Sequence, residues 1–225
     1  MIRKNFKFNL IFKDKVLLII LIFCIVLKNY RKEKTKVALC VVAKDENKYI
    51  KEFIYYYKNL GIKKIFLYDN NNEDGEKFDI ILKHFIKNKF VTIVNIRGII
   101  RPQKLAFNDC YNNNKFNYNW IAFLDVDEFL YFSKFKNINY FLSLSKFKNC
   151  SSLLINWKYY GDNNNIFYEP KLLRDRFLKP FYFSKKNRRR KLLYSASKTI
   201  VRGGLNITWA HFPHYLKDKN TLKYY

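Results

Sequence analysis

The feature that most constrains this chain is an alternation that begins at Val37, in which strand-length apolar runs are each followed by apolar residues at helical spacing. Residues 37–43 (VALCVVA) contain no polar side chain. A strand with no polar alternation has to be covered on both faces, which predicts a central strand between two layers of helix. Lys44, Asp45 and Glu46 end the run. Ile50, Phe53, Ile54, Tyr57 and Leu60 then recur at the spacing of one helical face, with Gly61 where a C-terminal cap belongs. Residues 65–68 and 91–96 predict the second and third strands, and Phe78, Ile81, Leu82, Phe85 and Ile86 mark one helix between them. After Pro102, a helix over 103–112 leads to a fourth strand at 120–124. The order βαβαβαβ implies an α/β fold with a mainly parallel sheet flanked by helices on both faces.

Ligand sites in such sheets lie at the carboxyl ends of the strands. Those ends carry Asp45 and Glu46, then Asp69 and Asn70, then Asn95, and lastly Asp125, Val126, Asp127 and Glu128. A lone Asp-x-Asp arises by chance in a chain of this composition. Here it directly follows the buried-type strand and precedes Glu128, Phe129 and Leu130, so the carboxylates begin where the chain leaves the sheet. In an extended or turn conformation Asp125 and Asp127 face one side. Paired carboxylates repel unless a cation or donors compensate them, and hard oxygen ligands suit Mg²⁺ or Mn²⁺, which favour bound phosphates. The plainer alternative is a pair of solvated turn acids.

Composition narrows the class. The 225 residues are 49% hydrophobic and 19% aromatic, enough for a core, and 44 Lys and Arg against 18 Asp and Glu give a formal charge of +26. Disordered, collagen-like and disulfide-rich classes are excluded. Lys shares A/T-rich codons with the equally abundant Asn, Ile, Phe and Tyr, so gene composition accounts for the basic excess as readily as an anionic partner does. Nothing matches a zinc finger, an RRM or a KH domain, so nucleic acid is not an expected partner. Cys24, Cys40, Cys110 and Cys150 show no metal-ligand spacing and are expected as free thiols.

Residues 1–36 differ from the rest. Arg3, Lys4, Lys7, Lys13 and Lys15 precede an uncharged apolar run at 16–27. At about 1.5 Å per residue that run covers about 18 Å, against about 30 Å of hydrocarbon, so Lys15 and Lys28 would have to snorkel. No small-residue cleavage site follows. The segment is therefore expected to be an uncleaved or interfacial anchor on an anionic membrane surface, preceding a single domain over 37–225. Basic residues on both sides of the run leave its orientation undecided.

Residues 43–75 (AKDENKYIKEFIYYYKNLGIKKIFLYDNNNEDG), the helix from Gln103 to Cys110, WIAFLDVDEFL at 120–130, INWKYYG at 155–161, KTIVRGG at 198–204 and a late His resemble glycosyltransferase family 92. The resemblance runs from about Val37 to about Tyr215. It implies the GT-A fold, a Rossmann-like arrangement, and a metal-dependent, inverting transfer from a nucleotide-diphosphate sugar, a UDP-sugar first among donors, to a glycan or lipid-linked acceptor. Asp69 is then expected at the base or ribose, with Asp45, Glu46 and Gln103 nearby. Asp125 faces the ribose or the metal, Asp127 holds Mn²⁺ or Mg²⁺, and His211 or His214 completes the shell. The family has Asn where this chain has Asp45, a departure expected to change a turn hydrogen bond more than the class.

Inverting transfer also needs a carboxylate to take the acceptor proton. Asp162, beside Gly161, and Glu128 are the candidates, with Glu169 and Asp175 behind them. Trp157 and Tyr160 are candidates to stack on an acceptor sugar, although core packing also explains them. The run Lys185, Lys186, Arg188, Arg189, Arg190, Lys191 is either a solvated loop or a diphosphate or lipid-anion contact. His84 reads as structural. A catalytically degenerate membrane-bound scaffold and a basic nucleic-acid-binding protein are the competing functions.

Overall fold

A computed structural model describes residues 35–162, 167–180, 197–207 and 221–224. The anchor-like segment, the basic run at 185–191 and both late histidines lie outside the described residues. Apart from Thr35, everything described belongs to one compact unit, Lys36–Tyr225. Among the described residues no helix is long and apolar enough to cross a membrane.

The strands are β1 (Val37–Ala43), β2 (Lys64–Asp69), β3 (Val91–Asn95), β4 (Trp120–Phe123), β5 (Ser152–Asn156), β6 (Ser197–Arg202) and β7 (Thr221–Tyr224). Between them lie α1 (Ile50–Leu60), α2 (Phe78–Ile81), α3 (Lys83–Lys87), α4 (Gln103–Asn114), α5 (Ile138–Leu142), a 3₁₀ turn (Ser145–Phe147) and α6 (Leu173–Arg176). One seven-stranded sheet has the order β3-β2-β1-β4-β6-β5-β7. Its first four strands are parallel, as the βαβ repeat requires. β6 then enters antiparallel between β4 and β5, and β7 pairs parallel with β5, which makes the sheet mixed.

Alternate residues of β1 feed two cores. Val37, Leu39, Val41 and Ala43 pack with Ile50, Phe53, Ile54 and Tyr57 of α1, with Phe78, Leu82 and Phe85, and with Ile138 and Phe141 of α5. Ala38 and Cys40 pack on the opposite face with Ala106, Phe107, Cys110 and Tyr111 of α4. Period-two burial on both faces is why the run carries no polar residue. Cys40, Cys110 and Cys150 are buried and form no disulfide among the described residues, and burial holds the Cys40 thiol well above its ordinary range.

Gly61 ends α1 at φ 101°, a left-handed cap that a side chain would strain, and its N–H donates to Lys58 O. The single helix expected over 78–86 is instead divided at Leu82, whose φ of −104° and ψ of 10° leave the helical region. The apolar spacing nevertheless survives, because Phe78, Leu82 and Phe85 all remain in the core.

β6 is held at its far end by a close backbone approach. Gly203 N donates to Asn119 O at 2.9 Å, and a Cβ at Gly203 would stand 2.0 Å from Tyr118 O and 2.4 Å from Lys115 O. Both obstacles are backbone, so neither swings away. Gly203→Ala is expected to cost about 1–3 kcal/mol, read as a lowered urea midpoint with an unchanged slope.

Candidate functional site

Register brings the polar strand ends to one edge. Ala43 pairs with Asp69 and Asp69 with Asn95, while Leu124 N extends the β4 ladder to Cys40 O at 3.2 Å. After β1 the chain turns towards β2, whereas β4 lies on the other side of β1. The crevice between the ends of β1 and β4 is thus the switch point where ligands enter sheets of this kind.

The turn after β4 sorts its side chains. Val126 is buried in the core, Asp125 is half-buried and Asp127 is exposed, with no hydrogen bond or ion pair among the described residues. Asp125 N donates to Glu128 Oε2 at 2.9 Å, and Glu128 N donates to Asp125 O at 3.1 Å, so the two acids close the turn on each other. α1 fixes the exit: Tyr57 Oη donates to Glu128 O (2.8 Å) and accepts from Leu130 N (3.0 Å), while Tyr56 Oη donates to Leu130 O (2.6 Å).

Lys198, near the start of β6, lies beside this turn because β6 runs antiparallel to β4, with Phe123 opposite Thr199. Its side chain is 2% exposed, and Nζ stands 2.5 Å from Asp125 Oδ2 and 3.2 Å from Glu128 Oε2. Gln103, expected here, donates from Nε2 to Asp125 Oδ1 at 3.2 Å. Each Asp125 oxygen therefore has one donor against it, whereas Glu128 Oε1 has no partner among the described residues. Burial pushes the Glu128 carboxyl up to about 7; Lys198 opposes that rise and Asp125 adds to it.

Across the crevice, Asp45 adopts φ 57°, a left-handed conformation that Asp and Asn tolerate better than most residues. The turn hydrogen bond runs from Asp45 N to Asn71 Oδ1 at 2.7 Å. It is made by the backbone N–H of Asp45, not by its side chain. Burial raises the Glu46 carboxyl to about 7, followed by repulsion from Asp127, Glu76, Asp45 and Asp125 in that order. Asp45, Glu46, Asp125 and Asp127 thus share one electrostatic neighbourhood.

Asp69 is turned inward. Its Oδ1 accepts from Asn71 N at 3.0 Å, and its Oδ2 accepts from Arg97 Nη2 at 2.7 Å, with both side chains 7% exposed. Arg97 also donates to the carbonyls of Asn72 (2.6 Å) and Glu76 (2.7 Å), so the pair moulds the loop after β2. Arg97 and Lys198 both escaped the sequence reading, since lysine and arginine beside strand ends read as solvent-facing.

Asp162 is exposed, Glu169 is paired with Lys171 at 2.8 Å, and Asp175 lies on α6. Of the aromatic candidates, Trp157 lies beside Lys198, 5.4 Å from Nζ to the ring centre. Its ring meets Tyr159 edge-on, also at 5.4 Å, whereas Tyr160 bridges to Pro180. His84 contacts Asn88 on the surface of α3. Among the described residues no three of His, Cys, Asp and Glu are grouped closely enough to hold a metal ion, and His211 lies outside them.

The family model for glycosyltransferase family 92 matches residues 35–225. A glycosyltransferase family 92 protein of Arabidopsis thaliana is 31% identical over 99 residues, 44% of this chain and 17% of that protein. One from Oryza sativa subsp. japonica is 25% identical over 105 residues, 47% of this chain and 18% of that protein. The matched stretch therefore spans less than a fifth of these relatives. Among solved structures, S. aureus TarS overlaps 58% of this chain and 22% of its own at 15% identity and a TM-score of 0.42. The Pyrobaculum calidifontis mannosyltransferase PcManGT, in complex with GDP-Man and Mn²⁺, overlaps 54% of this chain and 35% of its own at 10% identity and 0.43.

Glu46 and Glu128 hold their protons more tightly when folded than at the ordinary value of 4.5. Between about pH 4.5 and pH 7 the folded state therefore binds more protons than the unfolded state, and stability falls as pH rises through that window. In Glu46→Gln one of the two contributions is gone. Its thermal midpoint is expected to fall less steeply than that of the parent protein from about pH 5 to pH 7 in metal-free buffer.

Proposed function

This chain belongs to glycosyltransferase family 92, and we propose that it transfers a sugar from a nucleotide-diphosphate donor to a glycan or lipid-linked acceptor at the crevice between β1 and β4. The observation that carries this reading is the acidic edge at the switch point, where Asp127 stands exposed beside Glu46, without a partner among the described residues. We assign the fold to the GT-A type on the parallel order β3-β2-β1-β4, with the Asp125 and Asp127 pair at the end of β4.

Asp45, Glu46 and Gln103 border the crevice and are the donor-facing side chains of this proposal. Asp69 acts on the donor only through the loop that it and Arg97 shape. Asp127 is the carboxylate open to Mn²⁺ or Mg²⁺, and such a cation, when bound, would offset charge on the departing nucleoside diphosphate. His211 is proposed as a further ligand on sequence grounds. Glu128 is the general base of this reading, in preference to Asp162. Its Oε1 has no partner among the described residues, its proton affinity lies near neutrality, and Tyr159 is close enough to feel its charge. Inverting stereochemistry follows if the acceptor oxygen, giving its proton to Glu128, bonds to the anomeric carbon on the face opposite the departing nucleoside diphosphate. A UDP-sugar is the donor to test first, and the basic N-terminal segment is proposed to hold the enzyme at an anionic membrane surface.

Calorimetry with UDP and GDP, with and without Mn²⁺, tests donor binding. Asp127→Asn is expected to remove the metal-dependent part of binding and to lower sugar transfer about a hundredfold or more, with an unchanged thermal midpoint. Glu128→Gln is expected to lower transfer by about 10²–10⁴ while donor binding persists. Full activity in Asp127→Asn would sink the metal reading. Absence of nucleotide binding under every condition would favour a degenerate scaffold.

A further inference from the structure

We infer that Lys198 is a built-in cation of this site: its ammonium compensates Asp125 and Glu128, so that of the two aspartates only Asp127 faces a divalent metal. The inference rests on the proposed function and divides the labour within it.

The geometry carries the argument. An ammonium buried to 2% exposure is tolerable only with close anionic partners, and Lys198 has two, at 2.5 Å and 3.2 Å. Asp125 Oδ2 is held by that ammonium and Oδ1 accepts from Gln103, so the charge of this carboxylate is already balanced by a cation. A divalent ion at Asp125 would have to displace Lys198 or sit within repulsive distance of it. Lys198 has little freedom to leave: its backbone is paired with Ile155 inside the sheet, and Trp157 lies beside its ammonium. Asp127, two residues along, has the opposite character, being exposed and without a partner among the described residues.

Lys198 is therefore a positioning residue. It orients the first aspartate towards Gln103 and fixes Glu128 Oε2 so that Oε1 projects free. A site with one open protein carboxylate would bind metal weakly by itself, and diphosphate oxygens would have to supply further ligands, as is usual for Mg²⁺ at phosphate sites.

The test is Mn²⁺ titration of the full chain followed by electron paramagnetic resonance, with and without UDP, which needs no sugar transfer. Asp125→Asn is expected to keep the parent Mn²⁺ affinity within about twofold, whereas Asp127→Asn loses it. Lys198→Met exposes the inner carboxylates and is expected to raise Mn²⁺ affinity without UDP about tenfold, because affinity follows the number of charged ligands. Equal losses in Asp125→Asn and Asp127→Asn overturn the inference, as does a folded Lys198→Met that binds Mn²⁺ no more tightly than its parent. Should Lys198→Met fail to fold, the two aspartate variants decide alone. No Mn²⁺ binding to the parent even with UDP overturns the inference and the metal part of the proposed function; UDP binding in metal-free buffer would still leave the donor site standing. Mn²⁺ behaviour as expected without any UDP binding would preserve this inference and remove the donor reading.

Discussion

The ammonium of Lys198, buried between Asp125 and Glu128, ties together two halves of a sheet that obey different rules. On one side lie β3, β2, β1 and β4, all parallel; on the other lie β6, β5 and β7. A lysine so enclosed, if deprived of its partners, costs several kcal/mol, so the turn after β4 and the start of β6 are bound to form together. Tyr56 and Tyr57 grip the same turn from α1, and the acidic motif is thereby fixed from three elements rather than hung on a loop.

The same pairing explains how a chain of formal charge +26 keeps an anionic edge. Basic side chains are not spread evenly over the acids: Arg97 neutralises Asp69, Arg174 reaches Glu52, and Lys198 serves Asp125 and Glu128. Glu46 and Asp127 are left to repel each other at the mouth of the crevice. Local negative potential there survives the basic surroundings because these internal cations are already committed, and in the proposed function it is what would attract a divalent cation and, through it, phosphates.

Much of this was legible in the sequence wherever burial leaves a pattern. The run from Val37 to Ala43 announced a strand covered twice, Gly61 announced the end of α1, and DVDEF announced a turn at a strand end. Strand direction was not legible beyond β4, because periodicity is blind to polarity and β6 joins its neighbours antiparallel. Leu82 was misread since apolar spacing is kept across a break in the helix. The engaged state of Asp69 and the role of Lys198 both depend on partners distant in sequence, Arg97 by 28 positions and Asp125 by 73. A charged residue gives no local sign that it will be buried by pairing.

The buried cysteines give the fold an internal clock. Cys40 on β1 and Cys110 on α4 sit in one core layer, and Cys150 in the other. A thiol reacts as thiolate and only where reagent reaches it, and burial denies Cys40 both conditions. Where reagent reacts faster than the layer recloses, alkylation of Cys40 and Cys110 therefore proceeds at the rate at which α4 lifts from the sheet, and alkylation of Cys150 at the rate at which the opposite layer opens. Two faces of one sheet can be timed separately with chemistry the chain already carries.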